Sequence, residues 1–366
     1  MANSLFNNRP SHGGNLEWAA EVAGCSPFAL LDFSASVSPL GPPASAIAAI
    51  HASLHQLSRY PNPDYPQLRQ QLAQHHQLDP GWVLPGNGAA ELLTWAGRDL
   101  AALDATYLLT PAFSDYGRSL AAFAANVLPL PLPLSEAETS DVDWAAVFSH
   151  ALKSASARRG VLLNTPHNPT GLLLPLTIVE TLLSQFALVV VDEAFMDFLP
   201  PDQQQSLIGQ IARWPNLIIL RSLTKFYSLP GLRLGYAIAH PERLQRWQRW
   251  RDPWPVNVLA AAAATGLADR AFQQQTWQWL TAARPALWQA LKAIPGLHPL
   301  PGQVNYLLVR CDRSTSALQR ELLQRDRILI RDCLSFPELG DRYFRVAVRL
   351  PEENQRLVTA LQHAMA

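Results

Sequence analysis

Lys225 closes the run Ser222-Leu223-Thr224-Lys225, directly after an apolar stretch that reads as a buried strand. A lysine held out of water and near other cations sheds its proton more easily and becomes a nucleophile toward an aldehyde. A lone lysine after a strand is ordinarily a surface residue, so its neighbours decide between the two readings. Ser222, Thr224 and Arg233 offer hydroxyls and a guanidinium suited to a phosphate. Gly88-Ala89-Ala90 opens a helix whose first amides add to the same cradle. Asp192 ends the apolar run Leu188-Val189-Val190-Val191. An acid there can pair with a protonated pyridine nitrogen and make the ring an electron sink; its plainer role is a helix N-cap. Phe113 can stack on a planar ring or simply fill the core. Asn168 can donate to a phenolic oxygen or serve as a turn residue before Pro169. Each signal alone is modest. Together the set suits one planar, phosphorylated, pyridine-like cofactor.

The elements that must position these groups show a regular pattern. Ala105–Leu109, Gly160–Leu163, Leu188–Val191 and Leu217–Leu220 are short apolar runs, each followed by polar or Gly/Pro residues and mostly by helix-like sequence. Buried parallel strands have this form, and they predict an α/β sheet with helices on both faces. In such sheets ligands bind beyond the carboxyl ends of the strands, and the candidate residues fall at those ends. Pro39 to Pro43 reads as a turn before a helix over Ala44–Leu57. Beyond Pro253–Pro255 the pattern changes to an Ala-rich helix, Leu259–Ala268, and then strands near Val304–Arg310, Ile328–Ile330 and Phe344–Val348 with a helix over Ser314–Arg325. That predicts a smaller α+β unit.

Bulk properties narrow the function classes. A chain of 366 residues with 48% hydrophobic and 16% charged residues can bury a sizeable core in one large and one small domain. Its 29 basic and 29 acidic residues cancel, which argues against a nucleic-acid partner. Cys25, Cys311 and Cys333 form no CxxC pair, so neither a disulfide framework nor a zinc site is expected and a reducing cytoplasm fits. His75-His76 lacks thiol or carboxylate partners at metal-ligand spacing, so no metal is expected. Met1 to Ser11 has no signal-peptide core, and the longest apolar stretch falls far short of the ~20 residues that span a bilayer. The chain reads as a cytoplasmic protein with no membrane partner. No GxGxxG follows a strand and no GxxxxGK[ST] occurs, which removes the dinucleotide and P-loop readings. Arg243 to Arg251 interleaves arginine with Trp247 and Trp250; at zero net charge this is an amphipathic helix with snorkelling arginines.

The order of Gly86-Asn87-Gly88, Pro111-Ala112-Phe113, Asn164 to Gly171, Asp192-Glu193-Ala194-Phe195, Ser222 to Lys225 and Gly231 to Tyr236 resembles the fold-type I pyridoxal-phosphate enzymes near histidinol-phosphate aminotransferase. His12-Gly13-Gly14-Asn15, Leu31 to Ala35, Ile328 to Arg331 and Tyr343 to Arg349 narrow the resemblance to the threonine-phosphate decarboxylase family. It covers nearly the whole chain. It implies an α/β large domain with a mostly parallel seven-stranded sheet at 45–255. A small C-terminal α+β domain would follow at 256–366, and a segment at 1–44 would join it and close the active site. It implies that Lys225 holds the cofactor as a Schiff base, Asp192 faces the ring nitrogen and Asn168 the phenolic oxygen. Gly88, Ala89, Ser222, Thr224 and Arg233 would hold the cofactor phosphate. Tyr60 would reach the cofactor of a neighbouring subunit, so a homodimer is implied. Arg331 and Arg345 would anchor the anionic groups of a small phosphorylated amino acid, and His12 and Gly13 would close over it. Two positions depart from the pattern. Phe195 stands where the aminotransferases carry Tyr, and Ser36 where the decarboxylases carry a substrate-contacting Asn.

In pyridoxal-phosphate chemistry the bond that breaks is the one held perpendicular to the ring, so the protein's task is orientation. Two arginines and a glycine-rich loop suit a substrate with two anionic ends. They would fix its phosphate and turn its carboxylate perpendicular, giving carbon dioxide and an amino-propanol phosphate. The rival enzyme reading is amino transfer from histidinol phosphate to 2-oxoglutarate; the His12–Asn15 segment and Phe195 favour the decarboxylase. The rival from another class is a catalytically silent ligand-binding protein on the same fold. The joint presence of Lys225, Asp192, Asn168 and Arg233 argues against it.

Overall fold

A computed structural model of the chain describes residues 9–137, 141–155 and 158–366. Its strands in chain order are β1 (Leu31–Asp32), β2 (Val83–Asn87), β3 (Ala105–Thr110), β4 (Val127–Pro131), β5 (Arg159–Asn164), β6 (Leu188–Asp192), β7 (Leu217–Ser222), β8 (Leu234–Ala239), β9 (Leu297–Pro299), β10 (Tyr306–Cys311), β11 (Ile328–Leu329), β12 (Arg331–Asp332) and β13 (Tyr343–Ala347). Seven of them form one sheet in the order β2-β8-β7-β6-β5-β3-β4. Only β8 runs against its neighbours; the pairs from β7 through β4 are parallel.

The reason this sheet forms is legible in β6 and β7. Val189, Val191, Leu217 and Ile219 point into one apolar cluster. Leu188, Val190, Ile218 and Leu220 point into another on the opposite face. Alternate side chains of an uninterrupted apolar run therefore bury both faces, as parallel strands under helices require.

The remaining strands build smaller sheets. β12, β13, β10 and β9 lie antiparallel in that order. β1 pairs in parallel with β11, Leu31 opposite Ile328 and Asp32 opposite Leu329. Phe33 extends the join. Its amide donates to the Leu329 carbonyl at 2.8 Å, and its carbonyl accepts from the Ala347 amide at 2.8 Å. The N-terminal segment is thus stitched to elements almost three hundred residues later.

Several expected elements differ in detail. The single strand expected near Ile328–Ile330 is two short ones, β11 and β12, each with a different partner. The helix expected over Ala44–Leu57 ends at Ser53 and tightens into a 3₁₀ turn, Leu54–Ser58. The Ala-rich helix stops at Ala263 and continues as a 3₁₀ turn, Ala264–Ala268. Gly266 there packs so close that an added Cβ would lie 3.1 Å from that of Ala46. β4 escapes a sequence reading because Pro129 and Pro131 interrupt it. It tolerates them as the sheet's edge strand, where missing N–H groups cost no ladder bond. The helix Arg270–Lys292, 23 residues long with Pro285 inside, was likewise not anticipated.

Candidate active site

The carboxyl ends of β5, β6 and β7 open onto a cavity of about 240 Å³. His12, Gly13, Phe113, Asp192, Lys225 and Arg345 all line it. These six come from an N-terminal loop, the loop after β3, the end of β6, the loop after β7 and the strand β13, so residues far apart in sequence share one space.

Lys225 stands on the loop after β7, with its Nζ 6.0 Å from the centre of the Phe195 ring. Burial, then the charges of Arg345 and Arg233, pull its ammonium down to about 8, against the opposing pull of Asp32 and Asp192. Such an amine is largely neutral in mildly alkaline water and is a competent nucleophile.

Asp192 ends β6, half-buried. Its Oδ2 accepts from the Tyr116 hydroxyl at 2.9 Å and its Oδ1 from the Ala194 amide at 2.9 Å. Burial pushes its carboxyl up, while the Ala194 amide, the Tyr116 hydroxyl and the Lys225 charge hold it back. Asn168, in the loop after β5, accepts through Oδ1 from Arg345 Nη1. That leaves its amide nitrogen as a donor toward the cavity. Arg345 is buried beside the Tyr306 ring, 4.8 Å from guanidinium carbon to ring centre. Its Nε has no hydrogen-bond partner among the described residues.

A second cluster lies where β2 turns into the helix Gly88–Ala101. Gly88 has φ +70°, and an added Cβ would sit 2.5 Å from Arg233 Nη2. Gly235 faces the same turn, its own Cβ position 2.3 Å from the Ala89 amide nitrogen. Only glycine at both positions lets the helix start, β8 and the Arg233 guanidinium meet. Ser222 is buried and accepts through Oγ from the Thr224 amide at 3.2 Å. Amides at a helix start, two hydroxyls and a guanidinium make a donor set that fits a phosphate.

The N-terminal loop is held down at several points. Arg331 donates through Nη1 to the Pro10 carbonyl at 3.3 Å and through Nη2 to the Ser11 carbonyl at 2.5 Å. It also donates to Ser335 Oγ at 2.6 Å. Arg9 pairs with Asp332 at 2.6 Å. Ser34 Oγ accepts from the Gly14 amide at 2.8 Å and donates to Asp32 Oδ1 at 2.6 Å. A Cβ on Gly13 would lie 2.2 Å from the Ser34 carbonyl oxygen, so the loop's approach requires glycine there. His12 tilts against Phe113 at 5.5 Å between ring centres.

Two expected residues lie elsewhere. Tyr60 is 81% exposed, its ring 4.7 Å from that of Trp254 in a separate groove. Ser36 is buried with its hydroxyl unpartnered among the described residues, and Ser34 and Ala35 line the cavity in its place. Tyr116, Asp32 and Ser34 contribute to the site although sequence reasoning did not single them out.

The class I and II aminotransferase family matches residues 29–361. The chain is 40% identical to the threonine-phosphate decarboxylase of Salmonella typhimurium, covering 99% of this chain and 98% of that protein. It is 31% identical to histidinol-phosphate aminotransferase 2 of Ralstonia nicotianae, over 97% of this chain and 94% of that one. Among solved structures, the L-threonine-O-3-phosphate decarboxylase of Porphyromonas gingivalis superimposes with a TM-score of 0.78 at 25% identity, covering 91% of this chain and 98% of that one.

Proposed function

The chain belongs to the class I and II aminotransferase family, and from that premise we propose that it decarboxylates L-threonine O-3-phosphate to (R)-1-amino-2-propanol O-2-phosphate, the linker of the cobalamin nucleotide loop. The observation that carries this reading is the 40% identity to a threonine-phosphate decarboxylase over essentially the full length of both chains. The aminotransferase relative is more distant, at 31%. Phe195 also presents no hydroxyl to the cavity it lines.

The cofactor is pyridoxal 5'-phosphate. When bound, it accepts the electron pair left behind as a bond to the substrate's alpha carbon breaks. Lys225 would hold it covalently through Nζ. The Gly88 and Ala89 amides, Ser222, Thr224 and Arg233 would take its phosphate. Asp192 would hold a proton on the ring nitrogen, and the Asn168 amide would donate to the phenolic oxygen. Phe113 would cover the ring.

Arg345 would anchor one anionic end of the substrate through its planar fork. Arg331 would take the other, exchanging the Pro10 and Ser11 carbonyls it now holds for a charged acceptor. His12 and Gly13 would close the cavity to water. With both ends fixed, the substrate's carboxylate would be held in the orientation from which it departs as carbon dioxide, and Lys225 Nζ would return a proton to the alpha carbon.

Residues 45–255 would carry the cofactor, and 256–366 with the segment 1–44 would close over the substrate; the pairing of β1 with β11 supports that division. The working unit would be a homodimer with Tyr60 reaching the neighbouring cofactor. The exposed Leu57, Tyr60 and Trp254 support this. No helix among the described residues is long and apolar enough to cross a membrane, and the setting we propose is the cytoplasm.

The test is turnover of L-threonine O-3-phosphate by cofactor-loaded protein with no keto acid added. Carbon dioxide and amino-propanol phosphate should form together, and Lys225→Ala should abolish both. No release, with amino transfer from histidinol phosphate to 2-oxoglutarate instead, would move the protein to the aminotransferases.

A further inference from the structure

Tyr116 lies in the first turn of the helix Ser114–Ala121 and is 2% exposed. Its ring meets Phe113 edge-on, 5.6 Å between centres. Its hydroxyl donates to Asp192 Oδ2 at 2.9 Å, while the Ala194 amide donates to Oδ1 at 2.9 Å. A carboxylate gripped at both oxygens cannot rotate about its own axis. Each oxygen still keeps a lone pair for a further donor.

The direction of the Tyr116 bond is settled by its surroundings. Burial, and then the neighbouring Asp192 charge, push the Tyr116 hydroxyl well up. It therefore stays protonated and donates, and an ionised carboxylate is the partner that gains most from that donation. A buried tyrosine whose hydroxyl merely needs satisfying would be served as well by a backbone carbonyl. Here the partner is the acid that faces the cavity.

We propose that Tyr116 is a positioning residue for the cofactor: its hydroxyl holds the Asp192 carboxylate aimed at the ring nitrogen and so sets how tightly that ring is bound. The proposal rests on the pyridoxal-phosphate reading of this site. It also gives the Phe113 wall a second function, since the same tyrosine backs the stacking ring and the acid.

The experiment compares two ligands on apoprotein, followed by quenching of tryptophan fluorescence. One is pyridoxal 5'-phosphate. The other is its carbocyclic analogue, with CH in place of the ring nitrogen. Tyr116→Phe should weaken the first about tenfold or more, the scale of one hydrogen bond to a charged group, and leave the second unchanged. Asp192→Asn should show the same selectivity, and adding Tyr116→Phe to it should cost nothing further. Unchanged affinity for pyridoxal 5'-phosphate in Tyr116→Phe would overturn the proposal. So would an equal loss for both ligands, which would mark a packing role. If Tyr116→Phe fails to fold, Tyr116→His keeps a ring and a donor. It should retain part of the preference for the nitrogen-bearing ligand, and none retained counts against the proposal. Wild-type protein that binds neither ligand would instead sink the cofactor reading, so the two failures are distinguishable.

Discussion

Arg345, on β13, donates through Nη1 to the side-chain oxygen of Asn168, in the loop after β5. The bond joins the four-stranded sheet to the seven-stranded one across the cavity. It also fixes the Asn168 amide so that its nitrogen is left to donate. On the proposed reading Arg345 would thus have two tasks, holding a substrate anion and orienting the Asn168 side chain. Arg345→Ala is expected to lower kcat/KM for threonine phosphate by roughly 10²-fold, within the range for loss of one partner of a buried charged hydrogen bond. Arg345→Lys should recover little, because an ammonium cannot reproduce the fork. Steady-state kinetics on the two variants checks both points, and undiminished activity in Arg345→Ala would count against the anchoring role.

Cofactor capture should follow the charge of Lys225. The neutral amine is the nucleophile, and its ammonium is pulled down to about 8 by burial and by Arg345 and Arg233. Below that pH the capture rate should rise about tenfold per pH unit, and above it the rate should level off. Arg345→Ala removes one of the depressing charges, so the midpoint should move upward. Stopped-flow absorbance after mixing apoprotein with cofactor reads the midpoint directly.

Gly13 tests the N-terminal loop that lines the cavity. A methyl group there would overlap the Ser34 carbonyl, 2.2 Å from the Cβ position. Gly13→Ala must therefore lift the loop. The expected result is a KM for substrate raised about tenfold or more with cofactor affinity unchanged. Wild-type KM in this variant would show that the loop does not contact substrate.

Stability should depend on Arg221, fully buried between Glu193 Oε2 at 2.9 Å and Asp197 Oδ1 at 2.6 Å. Arg221→Met would leave two carboxylates buried without a counter-charge. That should cost about 3–5 kcal/mol in urea unfolding. The pH dependence has a definite sign. Burial already pushes the Glu193 carboxyl up against the pull of Arg221; without the arginine it should rise further above its unfolded value, so the variant should regain stability as pH falls and lose it as pH rises.

The strands β3, β5, β6 and β7 were legible because they are buried on both faces, so each reads as an unbroken apolar run ended by a polar residue. Lys225, Asp192 and Asn168 stand at those ends and were found by the same pattern. β4 was not legible, because the prolines that an edge strand tolerates look like a turn. Tyr116 was hidden for a different reason. Its partner Asp192 is 76 residues away, and no local pattern records a contact made across the sheet. Arg331 was legible as a cation, yet its present partners, the Pro10 and Ser11 carbonyls, belong to a loop with no apolar periodicity to read.

Decarboxylation can be read from a count of turnovers. Cofactor-loaded protein is given excess L-threonine O-3-phosphate labelled in the carboxyl carbon, without any keto acid, and labelled carbon dioxide is counted per active site. A decarboxylase regenerates its cofactor each cycle, so many equivalents should be released, matched by amino-propanol phosphate. An aminotransferase would strand its cofactor in the amino form after one half-reaction and release none. That result would rule out decarboxylation as the protein's reaction.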